Sequence, residues 1–231
     1  MIKIENLCFS YDNDMIYDNF NLSLEKNEVT VILGHNGAGK TTLLKLISGL
    51  LKKESGIINF SENILKHRDI TDIYYLPEYN GCYSNLSVTE NIEYFKKIGY
   101  SSTKTVDDII KQFKLSKKKS AKIKHLSQGL TKRVALSNCT AYNASLLLLD
   151  EPTNGIDPET RDVIVHHINQ EKNNKTILVS THDLYFASEI ADRIIILDQG
   201  KVVLNNKVNN IDINELKEKY FDSTLQEGSD L

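Results

Sequence analysis

Apolar and polar positions alternate at the start of the chain. Ile2, Ile4, Leu7 and Phe9 stand among polar neighbours, and Leu22 and Leu24 alternate with Ser23 and Glu25. With the short apolar run 29–33, this pattern predicts strands over residues 1–33, a small β layer that comes first. Residues 34–39 are glycine-rich and break the run. Residues 41–51 then place Leu43, Leu44, Ile47, Leu50 and Leu51 at helical spacing, with Gly49 near the end. The order is strand, glycine loop, helix.

Further along, Ser87-Val88-Thr89-Glu90 has the spacing of a capping box ahead of Ile92, Tyr94, Phe95 and Ile98. A second helix is expected over 106–113, so residues 85–143 read as a helical insert. The strand pattern returns at 146–149 and 176–180 with a helical stretch, 158–169, between them. That is a βαβ unit, which implies a parallel sheet. Residues 193–197 and 202–204, joined by a turn over 198–201, predict a hairpin. A polar helix near 214–220 and a loose tail complete the reading, with no repeat of fixed period.

The composition is that of an ordinary folded domain: 231 residues, 40% hydrophobic and 26% charged. A formal charge of -3 supplies no global basic field, so nucleic acid is not an expected partner. The basic run Lys117, Lys118, Lys119, Lys122 and Lys124 reads as a solvated face. Cys8, Cys82 and Cys139 are widely spaced and form no CxxC pair, which predicts reduced, buried thiols. The N-terminus has no secretory pattern, and no apolar run approaches the ~20 residues that span a bilayer. A cytoplasmic protein that cannot cross a membrane by itself is the expectation.

Two motifs carry chemistry. Gly34-His35-Asn36-Gly37-Ala38-Gly39-Lys40-Thr41 fits GxxxxGK[ST], directly after a buried strand and before a helix. Its glycines let the backbone aim successive N–H groups at phosphate oxygens at a helix N-terminus. Lys40 supplies a point charge to the β and γ phosphates, and the Thr41 hydroxyl can ligate Mg²⁺; Thr42 follows in the same turn. The rival is a glycine turn that binds nothing, and the flanking strand and helix count against it. In the second motif, the run 146–149 ends in Asp150-Glu151, two carboxylates at the C-terminal edge of a parallel strand, where ligand crevices lie. Asp150 can hold Mg²⁺, through water, while Glu151 reaches the water that attacks the γ phosphate. A solvated acid pair at a strand end is the bland alternative.

With these motifs placed, residues 2–204 resemble the nucleotide-binding subunit of ABC (ATP-binding cassette) ATPases. Leu126-Ser127-Gln128-Gly129-Leu130 is similar to the family signature, Asn154-Gly155-Ile156-Asp157 to its D-loop, and Ser180-Thr181-His182-Asp183 to its switch-histidine segment. Tyr11 resembles the aromatic that stacks on adenine, and Tyr75-Leu76-Pro77-Glu78 lies where the family has its Q-loop. The resemblance implies a single α/β domain with a P-loop NTPase (ABC ATPase) core over 1–84 and 144–210, including an antiparallel β layer. A helical subdomain over 85–143 and a C-terminal helix and tail over 211–231 complete it.

The resemblance also implies Mg²⁺-dependent ATP hydrolysis, with ATP bound by Tyr11, residues 34–42, Ser127 and Gly129. Glu151 and His182 are then catalytic, and Thr41, Glu78 and Asp150 hold the metal. Ser127 and Gly129 would face the γ phosphate of a second subunit in a head-to-tail dimer. An integral membrane permease would dock near 78–86, where Tyr79, Tyr83 and Leu86 stand, leaving this chain peripheral on the inner face of the cell membrane. Two departures stand out: Glu78 replaces the family's Gln, and Gln128 and Leu130 loosen the signature. The Pro77-Glu78 pair and looser signature resemble ATPase subunits of small bacterial exporters for drugs and antimicrobial peptides. A soluble non-transport ABC ATPase, or a weakly hydrolysing regulatory module, is the alternative.

Overall fold

The computed structural model describes residues 1–61, 72–79, 81–100, 102–208, 216–218 and 220. Strands β1 (Ile2–Tyr11), β2 (Asp14–Leu24) and β4 (Ser55–Phe60) make an antiparallel sheet in the order β2-β1-β4. The second sheet has the order β5-β6-β7-β3-β8-β9, from β3 (Val29–Leu33), β5 (Ile73–Leu76), β6 (Leu146–Asp150), β7 (Thr176–Thr181), β8 (Arg193–Asp198) and β9 (Lys201–Lys207). Its strands pair in parallel except β9, which closes the expected hairpin antiparallel to β8.

The apolar runs of β3, β6 and β7 are buried at every position because both faces of this sheet are covered. Successive residues enter different cores. Val31, Leu147, Leu149 and Val179 meet α2 (Val88–Ile98), α3 (Val106–Gln112), α4 (Gln128–Tyr142), α5 (Pro158–Glu171) and α6 (Leu184–Ile190). Ile32, Leu146, Leu148 and Leu178 meet α1 (Lys40–Ile47) and the antiparallel sheet through Leu43, Leu44, Ile4 and Tyr17. The P-loop strand β3 is therefore locked between two cores, and its C-terminal end opens into the loop at 34–39.

The expected helix starts are present. Ser87 and Thr105 each form a reciprocal capping box, with Glu90 and Asp108, and Asp157 caps α5 ahead of Pro158. Three elements had no sequence expectation: β4, β5 and α6. The first helix is also shorter than its apolar spacing predicts. Gly49 takes φ 76°, Leu51 N–H turns back to the Lys45 carbonyl at 3.2 Å, and Leu50 is left exposed. All three cysteines are free, but only Cys139 is fully buried; Cys8 and Cys82 are half-buried. Burial pushes the Cys82 and Cys139 thiols up to about 12, which keeps them protonated and unreactive. The lysine run 117–124 is exposed, as a solvated face should be. Of the helix expected near 214–220, residues 216–218 and 220 are helical; the tail beyond lies outside the described residues. Among the described residues, no helix is long and apolar enough to cross a membrane.

Candidate functional site

The loop between β3 and α1 is shaped by close backbone approaches. A Cβ at Gly34 would lie 2.4 Å from the Leu197 carbonyl oxygen, and Gly39 adopts φ 104°, where a side chain would be strained. Opposite Gly39 stands Tyr17, fully buried on β2, whose hydroxyl donates to the Gly39 carbonyl at 2.9 Å. Burial raises the Tyr17 phenol far above its ordinary value, so it stays a donor. His35 ties the loop to the end of β8, with Nε2 2.8 Å from Asp198 Oδ1. Lys40 Nζ donates to the Gly34 and His35 carbonyls at 2.7 and 2.9 Å, which curls the loop around its ammonium.

Asp150 and Glu151 end β6 beside this loop. Asp150 Oδ1 accepts from Thr41 Oγ1 at 2.9 Å and Ser180 Oγ at 2.6 Å, and Oδ2 accepts from the Tyr75 hydroxyl at 2.9 Å. Burial, then the charge of Asp150, raises the Tyr75 phenol, so it too remains a donor. Glu151 has φ 42°, a left-handed conformation rare for a residue with a side chain. Its amide is fixed at 3.1 Å from both the Ser180 carbonyl and hydroxyl oxygens. Glu151 Oε2 meets His182 Nδ1 at 3.0 Å, while Oε1 lies 3.4 Å from Lys40 Nζ and is buried without a hydrogen-bond partner. An unpartnered carboxylate oxygen aimed beside a lysine is a ready acceptor for a further donor.

Glu78 reaches the same place from the turn after β5. Its Oε1 accepts from Asn154 Nδ2 at 2.6 Å, and its carbonyl accepts from Lys132 Nζ at 2.8 Å. Burial lowers the Lys132 ammonium below its ordinary value, while Glu78, Asp150, Cys82 and Glu151 pull it back up.

A cleft of about 510 Å³ opens over these groups, within the size range of small-molecule sites. It is lined by Tyr11, His35, Asn36, Gly37, Gly39, Lys40, Thr41, Thr42, Glu78, Glu151 and His182, all anticipated from sequence, and also by Ile16, Tyr79 and Asn154. Tyr11 packs edge-on against Phe9 at 4.9 Å and is among the residues that line the cleft. Gly34, Ala38 and Asp150 do not line the cleft. Ser127 and Gly129 are not brought to it either. Ser127 caps α4 by accepting from Leu130 N, and Gly129 packs close to Asp157 and Thr160. Sequence reasoning missed Tyr17, Tyr75 and Lys132, three polar side chains that the fold delivers to the site from β2, β5 and α4.

Comparison with known proteins identifies the family. Residues 17–154 match the family described as ABC transporter. The lantibiotic transport ATP-binding protein SrtF of Streptococcus pyogenes is 32% identical over 211 residues, which cover 90% of this chain and 91% of that protein. The tungstate uptake system ATP-binding protein TupC of Peptoclostridium acidaminophilum is 36% identical over 209 residues, 87% of this chain and 96% of that one. Among solved structures, a dimeric post-hydrolysis state of the ATP-binding cassette MJ0796 bound to ADP and Pi superimposes with TM-score 0.78 at 26% identity, covering 91% of this chain and 100% of that one. The glycine loop, the carboxylates at the end of β6 and these matches lead to one conclusion: the chain belongs to the ABC transporter family of ATP-hydrolysing subunits.

Proposed function

We propose that this chain binds ATP in the cleft, cleaves its γ phosphate by in-line attack of water, and so powers a separate membrane permease that exports its substrate. The observation that carries the chemistry is the convergence on Glu151, with His182 on one carboxylate oxygen and Lys40 beside the other. Tyr11 offers a ring for the base. Residues 34–42 supply backbone N–H groups and the positive end of α1 to the phosphates. Lys40 exchanges its loop carbonyls for phosphate oxygens. Glu151 Oε1 accepts the proton of the attacking water, and His182 keeps that carboxylate aimed. The site's hard oxygen donors fit Mg²⁺: the Thr41 hydroxyl lies 2.9 Å from Asp150 Oδ1, and Glu78 lines the same cleft. Asp150 already accepts three hydrogen bonds, which suits a role through water. Thr41, Asp150 and Glu78 would hold the ion, and its charge offsets that of the triphosphate.

The second subunit is part of this reading. Ser127 and Gly129 open α4 away from the chain's own cleft, which suits contact with the nucleotide of another copy in a head-to-tail pair. Tyr79 and Tyr83 are exposed, and Tyr83 donates to the Tyr94 hydroxyl at 3.2 Å. This aromatic surface beside the Glu78 turn suits a permease helix, which supports a position on the inner face of the membrane. Export rests on the Glu78 turn, the loosened signature and the kinship to SrtF; kinship to TupC makes uptake the second reading. The test is to tag Glu151→Gln, solubilise membranes in mild detergent with ATP and Mg²⁺, and identify copurifying proteins. A stoichiometric polytopic membrane protein is expected, and transport by the pair in oriented vesicles then gives the direction. Recovery of the tagged subunit without a membrane protein would overturn the transport reading.

A further inference from the structure

The last described residues of the chain reach back to the turn that carries His182. Leu216, only 2% exposed, enters the core that also holds Phe186 and Ile190 of α6, and Tyr220 packs against the same core. From there the Tyr220 hydroxyl donates to the His182 carbonyl at 3.0 Å. Lys217 Nζ, 5.6 Å from the centre of the Tyr185 ring, makes a second contact with the start of α6. Asp183 secures the same turn from within: its N–H donates to Thr181 Oγ1 at 3.0 Å, and its Oδ1 accepts from Tyr185 N and Phe186 N at 2.9 and 3.0 Å. The His182 side chain, by contrast, is half exposed, so packing alone does not fix the imidazole that meets Glu151 Oε2 at 3.0 Å. Its aim depends on where the His182 backbone is held.

We propose that Tyr220 is a positioning residue of the hydrolytic site: by holding the His182 carbonyl it keeps the imidazole on the Glu151 carboxylate. The proposal rests on the hydrolytic reading of the cleft. Tyr220 is not among the residues that line that cleft, so the C-terminal segment sets the rate of hydrolysis through the His182 backbone and leaves nucleotide binding alone. Small displacements of a group that aims a base are costly in rate, which makes one hydroxyl enough to matter.

The test is a double-mutant cycle on the full chain: native, Tyr220→Phe, His182→Ala and the pair, read by single-turnover hydrolysis of γ-labelled ATP, with affinity for a fluorescent ATP analogue measured alongside. Tyr220→Phe keeps the ring and removes only the hydroxyl that makes the contact. In the native background it lowers the hydrolysis rate about threefold to tenfold, while nucleotide affinity stays within about 1.5-fold. In the His182→Ala background, which keeps the carbonyl and lacks the imidazole, the same change costs under about 1.5-fold. A second readout needs no turnover. In protein carrying isotope-labelled histidine, the His182 ring signal, assigned by its loss in His182→Ala, shifts in Tyr220→Phe; it decides the case if His182→Ala hydrolyses too slowly to measure. An unchanged rate in Tyr220→Phe, equal costs in both backgrounds, or an unmoved His182 ring signal overturns the proposal while leaving the ATPase intact. Nucleotide binding with no turnover by the native chain overturns the hydrolytic reading and the proposal with it.

Discussion

Replacing Tyr17 by Phe removes one oxygen and nothing else from the core beneath the glycine loop. That hydroxyl donates to the Gly39 carbonyl at 2.9 Å, and the ring is fully buried. Without it the carbonyl at the N-cap of α1 keeps only the Leu43 N–H, 2.9 Å away, and the lost hydrogen bond costs about 0.5–1.5 kcal/mol. For a chain of this size, 1 kcal/mol corresponds to about 2–4 °C in Tm, so a fall of about 1–6 °C is expected by calorimetry. The loop that loses its tether is also the one that meets the phosphates. If half of that energy comes from loop geometry, the affinity for a fluorescent ATP analogue drops about 1.5-fold to fourfold. Thermal scans and nucleotide titrations of native and Tyr17→Phe protein measure both. A Tm and an affinity both unchanged from native would refute the claim that Tyr17 holds the loop.

Other consequences follow from the same geometry. Lys40→Ala removes the ammonium that sits beside the Glu151 carboxylate, and ATP affinity should fall at least about tenfold, the scale of a lost charge-assisted hydrogen bond; an unchanged titration would refute the P-loop role. His167 is buried and its pKa is lowered from 6.5 to about 4, chiefly by desolvation. The unfolded chain therefore binds one more proton than the folded one between those values, so this contribution to stability is complete above pH 6.5 and is lost as pH falls toward 4. The loss is about 3 kcal/mol, and urea unfolding across pH should show a shallower decline for His167→Gln than for native protein. Parallel curves would mean that His167 is not held neutral.

The parts of the fold that were legible in the sequence have local causes. The strand, glycine loop and helix around Lys40 sit in one stretch, and the βαβ unit of β6, α5 and β7 shows as apolar runs because both sheet faces are covered. The Ser87 box declares the start of α2 within four residues. β4 escaped notice because only alternate positions are half-buried and Gly56, at φ 84°, fits against the backbone of Asn6. β5 has four residues, too few for a period to show. The true end of α1 depends on Gly49, which overrides the apolar spacing that continues through Leu50 and Leu51. Within the site, residues carried by contiguous motifs were readable. Tyr75 and Lys132 were not, because their partners Asp150 and Glu78 are 75 and 54 residues away. Long-range hydrogen bonds of that kind leave no periodic trace.

Single-turnover hydrolysis of γ-labelled ATP by Glu151→Gln, with binding measured in parallel, tests whether Glu151 activates the water that cleaves ATP. The amide keeps the size of the side chain but is a poor base, so nucleotide affinity should stay near native while hydrolysis falls by about 10²–10⁴. Hydrolysis within tenfold of native, with nucleotide bound, would mean that Glu151 is not the base.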